Sequence, residues 1–459
     1  MTQLVTRRAM IKGALAIVSA ASIGVGGGLG EAAPPMKRAP SAQVTIKLSV
    51  WGDVQDLAVY TQIIKDFEAK HKEIKVVPEQ WTGDYYAKVQ TVMAAGTVPD
   101  IVYMQGWNWQ PYAIAGALRP MDDFIKRDHA QLPNIFPAAY DTQTTWNGHT
   151  YMAPADTGPM VIMYNKAMFD KARVPYPKEG WTLDDFLQTA KELTIKKNGK
   201  TVQYGYQANY DDYLRNIGWM RLNGHVEATP LVKPKKANFA DPLVTQGLQT
   251  QWADMPLKMG SAMPRGALLA GGGQAGNYTY GIQNGLVAMK YEGPWFMPNL
   301  VGKIAVKKGG LPFDVVSMPK GKEWHAARLV HGHTIVSQSR NPEAAWEFLK
   351  HVWSDQGQRR IAEGGRTCNA PDAIKKIWLP VASKLYGFKN TEAWMTTMAK
   401  GEITQVGGVT PDQIGLKGGY NAACDAISNG SQTAAQAFAK ANPQIQALYD
   451  AWWRSHPNG

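Results

Sequence analysis

Alternating apolar and polar residues predict the first elements that follow the N-terminal segment. Residues 44–50, 74–77 and 101–104 each have the composition of a short strand. Between these strands, apolar residues recur at helical spacing in two segments, and Asp56 is expected to cap the first helix. A β–α–β–α–β succession of this kind predicts a right-handed parallel sheet.

A second informative pattern lies at residues 286–298, which read LVAMKYEGPWFMP. The apolar run 286–289 predicts a short buried strand, and the turn-prone residues after it predict a sharp bend. Trp295 follows at once, so an indole and the Glu292 carboxylate are expected at a strand end, where ligands bind in α/β folds. A flat indole suits the C–H face of a sugar ring. A core tryptophan after a surface turn is the alternative.

Helices are predicted for most of the last third of the chain. Asn341 is a favourable N-cap and Pro342 suits the first helical position. The apolar stripe of this helix assigns Trp346 and Trp353 to core packing. Alanine-rich spacing around residues 434–441 predicts helices that cover a second lobe.

The N-terminus has the pattern of an export signal. Arg7 and Arg8 precede an apolar stretch at residues 14–29, and this arrangement resembles a twin-arginine signal. Cleavage is expected near Ala32, which leaves a proline-rich, disordered leader at residues 33–43. A retained membrane anchor is the alternative. Export to an oxidising compartment permits a disulfide between Cys368 and Cys424, but spacing alone leaves their pairing open.

Composition narrows the possible functions. The formal net charge of +12 comes from scattered Lys and Arg residues rather than a block, so no nucleic-acid partner is expected. The sixteen tryptophans exceed what packing usually requires and favour a ligand with flat apolar faces.

Two short segments resemble cofactor-binding or metal-binding motifs but lack the surrounding features that such sites need. Residues 271–276 satisfy GxGxxG, but no adequate strand precedes them and no helix-like segment follows, so they predict a flexible loop. His331 and His333 could present two imidazoles on one strand face, yet no third metal ligand lies nearby. We therefore expect neither a cofactor nor a metal ion.

Several segments together resemble the family 1 extracellular solute-binding proteins, the receptors of ABC importers that include maltodextrin-binding proteins. The matching segments, in the family's order, are 94–102 (AAGTVPDIV), 116–123 (GALRPMDD), 146–154 (WNGHTYMAP), 164–169 (YNKAMF), 181–186 (WTLDDF), 286–295 (LVAMKYEGPW) and 341–349 (NPEAAWEFL).

The resemblance implies an α/β fold with two discontinuous lobes, joined by crossing segments around a ligand cleft, as in type II periplasmic binding proteins. Lobe 1 is expected to hold residues 44–157 and 328–367, and lobe 2 residues 158–327 and 368–459. The crossings are expected near residues 156–161, Arg328 and Cys368.

The function implied is that of a monomeric periplasmic receptor that captures a carbohydrate by lobe closure and delivers it to an ABC permease. Strand ends and crossings then supply the candidate ligand-binding residues Trp51, Asp53, Gln105, Trp107, Asp156, Trp219, Tyr291, Glu292, Trp295, His331, His333 and Arg366. For Trp219, the two histidines and Arg366, a packing or surface role is an equal alternative.

Two other functions stay open. Arg366 and the two histidines would suit an anionic or polyol ligand, such as a sugar acid or glycerol phosphate. An exported glycosidase would need two carboxylates with separate roles, which Asp53, Asp156 and Glu292 could supply.

Overall fold

Two large β-sheets organise the part of the chain that the computed structural model describes, which is residues 43–51, 54–130, 142–271, 280–297 and 313–457. Three sequence-based expectations fall outside these residues: the signal peptide (1–32) with most of the leader (33–43), the ligand role of Asp53, and the loop from Gly272 onward.

The strands are β1 (Val44–Trp51), β2 (Ile74–Trp81), β3 (Ile101–Gln105), β4 (Leu118–Arg119), β5 (Thr145–Trp146), β6 (His149–Thr150), β7 (Ala153–Pro159), β8 (Val161–Asn165), β9 (Ile195–Lys197), β10 (Lys200–Gln207), β11 (Ala228–Thr229), β12 (Lys236–Ala237), β13 (Val287–Glu292), β14 (Phe313–Val316) and β15 (Arg328–Val336).

The α-helices are α1 (Val54–Lys70), α2 (Tyr85–Ala94), α3 (Gln110–Ile114), α4 (Asp122–Arg127), α5 (Lys166–Ala172), α6 (Leu183–Glu192), α7 (Ile217–Arg221), α8 (Pro242–Gln249), α9 (Arg265–Ala270), α10 (Tyr280–Gln283), α11 (Pro342–Trp353), α12 (Asp355–Glu363), α13 (Pro371–Ala373), α14 (Leu379–Tyr386), α15 (Glu392–Lys400), α16 (Pro411–Leu416), α17 (Tyr420–Ser428) and α18 (Ala434–Ser455). Two π-helical segments, Thr250–Met259 and Ile374–Trp378, continue α8 and precede α14, and short 3₁₀ turns occupy Leu214–Asn216 and Pro294–Phe296.

The first sheet has the strand order β2-β1-β3-β15-β4, with β7 also paired to β15. Strands β2 and β3 both run parallel to β1, which confirms the predicted β–α–β–α–β unit. Strand β15 returns from the far end of the chain and pairs antiparallel with β3 and β7. Successive residues of β3 enter opposite cores, because side chains alternate across a strand: Ile101 and Tyr103 pack on one face, and Val102 and Met104 on the other.

The second sheet has the order β14-β8-β13-β10-β9. Strands β10 and β13 are parallel, whereas β8 runs antiparallel to β13 and β14. The C-terminal helices cover this sheet, and Ala437, Phe438 and Ala441 of α18 are buried in its core, as the alanine-rich spacing predicted. Trp181 and Thr182 form the predicted helix entry, where Thr182 makes a capping box with Asp185.

Several predicted boundaries were wrong. Helix α1 begins at Val54, so Asp56 lies in its first turn rather than capping it. Strand β13 continues through Tyr291 and Glu292, and the bend comes at Gly293.

The helix predicted after Asn341 is α11, and Trp346 is fully buried in the core of the first sheet, as expected. The capping bond predicted for Asn341 is absent. Its Nδ2 instead donates to the backbone oxygen of Thr45 at 3.3 Å, because the side chain turns toward β1.

The chain passes between the two sheets at three neighbouring places. Strand β7 of the first sheet leads through Met160 into β8 of the second. Met160 N–H donates to the oxygen of Ala327, just before β15 begins, at 3.0 Å. Thr157 pairs with Thr367, next to the third passage. The interpretation of these positions as the crossings between two lobes, with lobe boundaries at 157/158, 327/328 and 367/368, stays a prediction.

Cys368 and Cys424 are both buried and free, so the disulfide that export permits is absent. Among the described helices, none combines the length and the hydropathy that a bilayer crossing demands.

Candidate ligand-binding site

An aromatic group lies at the carboxyl ends of β1 and β3. Trp51 stacks on Tyr85 with 4.5 Å between ring centroids, and the edge of Tyr86 lies 5.8 Å away. The Tyr86 hydroxyl accepts a hydrogen bond from the backbone N–H of Gln105 at 3.0 Å. Trp51, Tyr86 and Gln105 are half-buried, so each keeps a surface that a ligand can reach. This is the position where ligands bind in open α/β sheets.

Asn108 joins this group to the helices that cover the second sheet. Its Nδ2 donates to Gln105 Oε1 at 3.1 Å and lies 3.4 Å from Oδ2 of Asp412 in α16. Only 2% of Asn108 is exposed, and its Oδ1 is buried without a hydrogen-bond partner among the described residues. A contact between the first sheet's strand ends and the second sheet's helices therefore runs through one asparagine side chain.

A buried carboxylate–imidazole pair lies where β7 meets β15. His331 Nδ1 is 2.8 Å from Asp156 Oδ1, and the Tyr103 hydroxyl donates to the other carboxylate oxygen at 3.1 Å. Burial by itself would raise the pKa of Asp156, but the charge and hydrogen bond of His331 outweigh it, so the pKa lies below its usual value. Asp156 is therefore ionised, and each of its carboxylate oxygens has a hydrogen-bond partner.

Two indoles flank His331. The Trp107 ring lies 5.6 Å from the imidazole and the Trp295 ring 6.2 Å from it, both edge-on. Trp107 is 1% exposed and packs into the core of the second sheet, although it follows β3 of the first. Trp295 is half-buried. A Cβ on Gly158 would meet Trp295 Cζ3 at 2.4 Å, so the indole lies directly against the backbone of β7.

Glu292 forms an ion pair with Arg215, a residue that the sequence analysis did not indicate. Arg215 Nε donates to both oxygens of Glu292, at 3.0 and 3.1 Å, and Nη1 pairs with Asp212. The guanidinium carbon lies 5.4 Å from the Trp295 ring centroid, within cation–π range. Glu292 has a fully buried side chain, so in this structure it orients Arg215 rather than meeting solvent.

Two predicted residues lie away from this group, in the core of the second sheet. Trp219 is fully buried, with the rings of Phe186 and Tyr206 at 5.7 and 5.9 Å. Tyr291 is also fully buried, and its hydroxyl accepts a hydrogen bond from Ala327 N–H at 2.8 Å. Trp219 thus has the packing role that was its alternative, and Tyr291 supports the second passage between the sheets.

Arg366 and His333 lie behind the pair at β7 and β15. Arg366 donates from Nε and Nη2 to the two oxygens of Asp56 at 2.6 and 2.7 Å. His333 is fully buried, with the Tyr60 ring edge-on at 5.4 Å. Among the described residues, no group of three His, Cys, Asp or Glu side chains is placed to hold a metal ion.

The structure thus gathers Trp51, Gln105, Trp107, Asp156, Glu292, Trp295 and His331, and adds residues that the sequence did not indicate: Tyr86, Asn108, Asp212, Arg215 and Asp412. Of these added residues, only Tyr86 could have been suggested by the sequence, because it is an aromatic residue in the helix that follows β2. Arg215 comes from a 3₁₀ turn and Asp412 from α16, and both are far in sequence from any predicted strand end. Ligand contact by each of these residues remains a prediction.

Comparison with known proteins identifies related chains. The sequence model of the family described as bacterial extracellular solute-binding protein matches residues 51–359. The chain is 23% identical over 359 residues to the diacetylchitobiose binding protein DasA of Streptomyces coelicolor, which covers 74% of this chain and 75% of the relative.

Solved structures give the same picture of the fold. The ABC substrate-binding protein Lmo0181 from Listeria monocytogenes, in complex with cycloalternan, superposes with a TM-score of 0.77 at 21% identity, over 88% of this chain and 99% of that one. A solute-binding protein from Thermotoga lettingae bound with α-D-tagatose gives 0.73 at 24% identity, over 89% and 100%. The two-lobed α/β fold of type II periplasmic binding proteins, expected from the sequence, is thereby confirmed.

Proposed function

Because this chain belongs to the bacterial extracellular solute-binding protein family, we propose that it is the exported receptor of an ABC importer and captures a sugar or oligosaccharide. One observation carries the proposal: half-buried aromatic rings from both sheets, Trp51, Tyr86 and Trp295, lie beside hydrogen-bonding groups next to the passages between the sheets.

The chemistry of this group suits a carbohydrate. Ring faces of Trp and Tyr pack against the apolar C–H faces of a pyranose. Amide and guanidinium groups, here Gln105, Asn108 and Arg215, supply the donors and acceptors that sugar hydroxyls require. The related DasA is a diacetylchitobiose binding protein, and the two similar structures hold cycloalternan and tagatose, which supports a saccharide ligand.

Capture would proceed by closure of two lobes, residues 44–157 with 328–367 and residues 158–327 with 368–459. Three passages close together would act as the hinge, and the Asn108–Asp412 contact would belong to the closed form. A micromolar affinity corresponds to about −8 kcal/mol, which stacking and several hydrogen bonds must supply after the cleft has been ordered.

The remaining parts of the proposal concern export and partners. The signal at the N-terminus would direct the chain through a twin-arginine route to the periplasm, with cleavage near Ala32. The closed, liganded monomer would then be recognised by the membrane subunits of an ABC permease.

The described contacts favour neither an exported glycosidase nor a receptor for an anionic ligand. Both oxygens of Glu292 accept from Arg215, and Asp156 is held by His331, so neither carboxylate resembles the poised acid of a glycosidase. Of the three residues that suited an anionic ligand, Arg366 donates from Nε and Nη2 to Asp56, and His331 is paired with Asp156.

Titration calorimetry of the mature chain tests the proposal. The panel holds N,N′-diacetylchitobiose, maltotriose and tagatose, with spermidine and a tripeptide as non-sugar comparisons. Saturable binding of one or more sugars, with no new product on chromatography, is the expected result. No binding by any sugar, or hydrolysis of the saccharide, would overturn it.

Trp295→Ala is expected to weaken sugar binding roughly tenfold to a hundredfold, because burial of an aromatic face against a ligand is worth about 1.5–3 kcal/mol. Trp453→Ala is the matched control, since Trp453 is also half-buried but lies on α18 and donates to Pro234. Equal affinities of the two variants for the sugar would show that Trp295 does not contact the ligand.

A further inference from the structure

Two basic side chains at the candidate site, Arg215 and His331, are already paired with carboxylates. Arg215 lies between the carboxylates of Glu292 and Asp212. His331 is paired with Asp156. In the first of these groups two carboxylates face one guanidinium, so its formal charge is −1. An anionic ligand would therefore compete with carboxylates that these groups already bind.

Asp412 adds a carboxylate that has no cationic partner among the described residues. Asp412 lies in the first turn of α16, and its Oδ2 is 3.4 Å from Asn108 Nδ2, which is long for a charge-assisted hydrogen bond. Burial of the carboxylate by the surrounding atoms and the negative charges of Asp212 and Asp84 raise its pKa. A further negative charge beside it would face the same repulsion.

Asn108 supplies an independent observation at the same place. Its Oδ1 is a buried acceptor with no hydrogen-bond partner in the described part of the chain. A buried acceptor that lacks a donor is destabilising, so a ligand that donates to it gains affinity. Sugar hydroxyls can donate, whereas the carboxylate of a sugar acid can only accept.

We propose that Asp412 determines ligand charge at this site: its carboxylate disfavours sugar acids by repulsion, while Asn108 Oδ1 accepts a hydrogen bond from a sugar hydroxyl. This inference rests on the proposed sugar-binding function. It also narrows that function, since it assigns uncharged saccharides to the receptor and removes sugar acids and phosphorylated polyols.

Competition experiments on the mature protein test the inference. The probes are glucose, glucuronate, maltotriose and trigalacturonate, each measured by calorimetry for direct binding and for displacement of the tightest neutral sugar in the panel. The wild-type protein should bind the neutral probes and discriminate against the acids, and low ionic strength should sharpen the discrimination.

Asp412→Asn should lower the ratio of acid to neutral dissociation constants about tenfold, because the repulsion between two charges several ångströms apart near a protein surface is of that order. Asp184→Asn is the control. It makes the same charge change on exposed α6 and should leave the ratio unchanged.

The outcomes separate the two claims. If the sugar acids bind the wild type as tightly as the neutral sugars, or if Asp412→Asn leaves the ratio unaltered, the inference is wrong and the sugar receptor stands. If no saccharide binds, the proposed function fails, and the inference fails with it.

Discussion

Two histidines on β15, His331 and His333, lie two residues apart but in different surroundings. His331 reaches Asp156, whereas both ring nitrogens of His333 are buried without a hydrogen-bond partner among the described residues. Burial lowers the pKa of His333 to about 3, against a smaller opposing effect of Asp156. His333 is therefore neutral near pH 7 and behaves as a core residue.

The depressed pKa of His333 predicts a loss of stability on acidification. Between pH 6.5 and about 3 the unfolded chain binds a proton that the folded chain does not, so the free energy of unfolding falls by up to about 1.4 kcal/mol per pH unit from this residue alone. His333→Leu should remove that contribution and should not destabilise the protein near pH 7, because no hydrogen bond is lost.

Urea unfolding at pH 7.0, 6.0 and 5.0 measures this dependence, and the exposed His149→Leu serves as the control. A His333→Leu protein whose stability falls with pH as steeply as that of the wild type would contradict the assignment.

Residue types in this region could be predicted, but their partners could not. The sequence placed both histidines near the cleft, yet His331 meets a carboxylate 175 positions earlier in the chain. Glu292 likewise meets Arg215 at a separation of 77. Local patterns contain no information about pairings of this range, so the sequence could not show which carboxylates stay free for a ligand.

At the scale of elements, the segment that carries Asp212 and Arg215 is fixed by hydrogen bonds around Asn209. The backbone oxygen of Asn209 accepts from Trp252 Nε1 at 2.8 Å and from Asn216 Nδ2 at 3.1 Å. The Asn209 side chain donates to the oxygen of Tyr291 in β13 at 3.0 Å. Strand β13 and a π-helical segment thus fix the loop that orients the charged part of the candidate site.

Trp252→Phe is expected to lower the free energy of unfolding and to weaken sugar binding, because it removes one anchor of that loop while an aromatic ring is kept. Loss of a typical hydrogen bond accounts for about 0.5–1.5 kcal/mol. Thermal unfolding and calorimetry measure both effects.

Trp394→Phe is the matched control, since the Trp394 ring is equally buried but its Nε1 has no partner among the described residues. Trp252→Phe should therefore cost more stability than Trp394→Phe and should alone weaken binding. Equal effects would mean that the ring volume, rather than the anchoring bond, is what matters.

Element types followed the hydrophobic pattern well, and element ends did not. The sequence predicted a strand at 286–289 because the apolar run ends there, yet β13 continues to Glu292. Polar Lys290 and Glu292 remain in the strand because tertiary partners satisfy them: Asn209 contacts Lys290, and Arg215 pairs with Glu292.

At the scale of the whole molecule, the chain between residues 43 and 457 is held together without a covalent cross-link. Cys368 lies beside the third passage and Cys424 lies in α17, and each is buried as a free thiol. Burial raises the pKa of both thiols, which keeps them protonated and unreactive.

Reducing agent should therefore leave thermal stability unchanged. A bridge between these two positions would contribute about 4 kcal/mol by the chain-entropy model, so its reduction would lower Tm measurably. Scanning calorimetry with and without dithiothreitol, together with a count of two reactive thiols per chain in guanidinium, measures this. A drop in Tm on reduction, or no reactive thiols after unfolding, would contradict the structure.

The overall architecture was the most predictable level. Motif order along the chain indicated two discontinuous lobes, and the two sheets have strands drawn from both halves of the sequence, as that architecture requires. The packing of Trp107 into the core of the second sheet was not predictable, because nothing near residue 107 indicates which sheet its side chain joins.

The candidate site draws its side chains from at least five separate stretches: the end of β1, the start of α2, the loop after β3, the loop before α7, and α16. Most of these groups lie at the margins of elements and outside the hydrogen-bond ladders of both sheets. Mutation can therefore alter one contact at a time while the scaffold persists. Such a solute-binding protein can evolve a new ligand preference by single substitutions, whereas the Asp156–His331 pair between β7 and β15 should resist change.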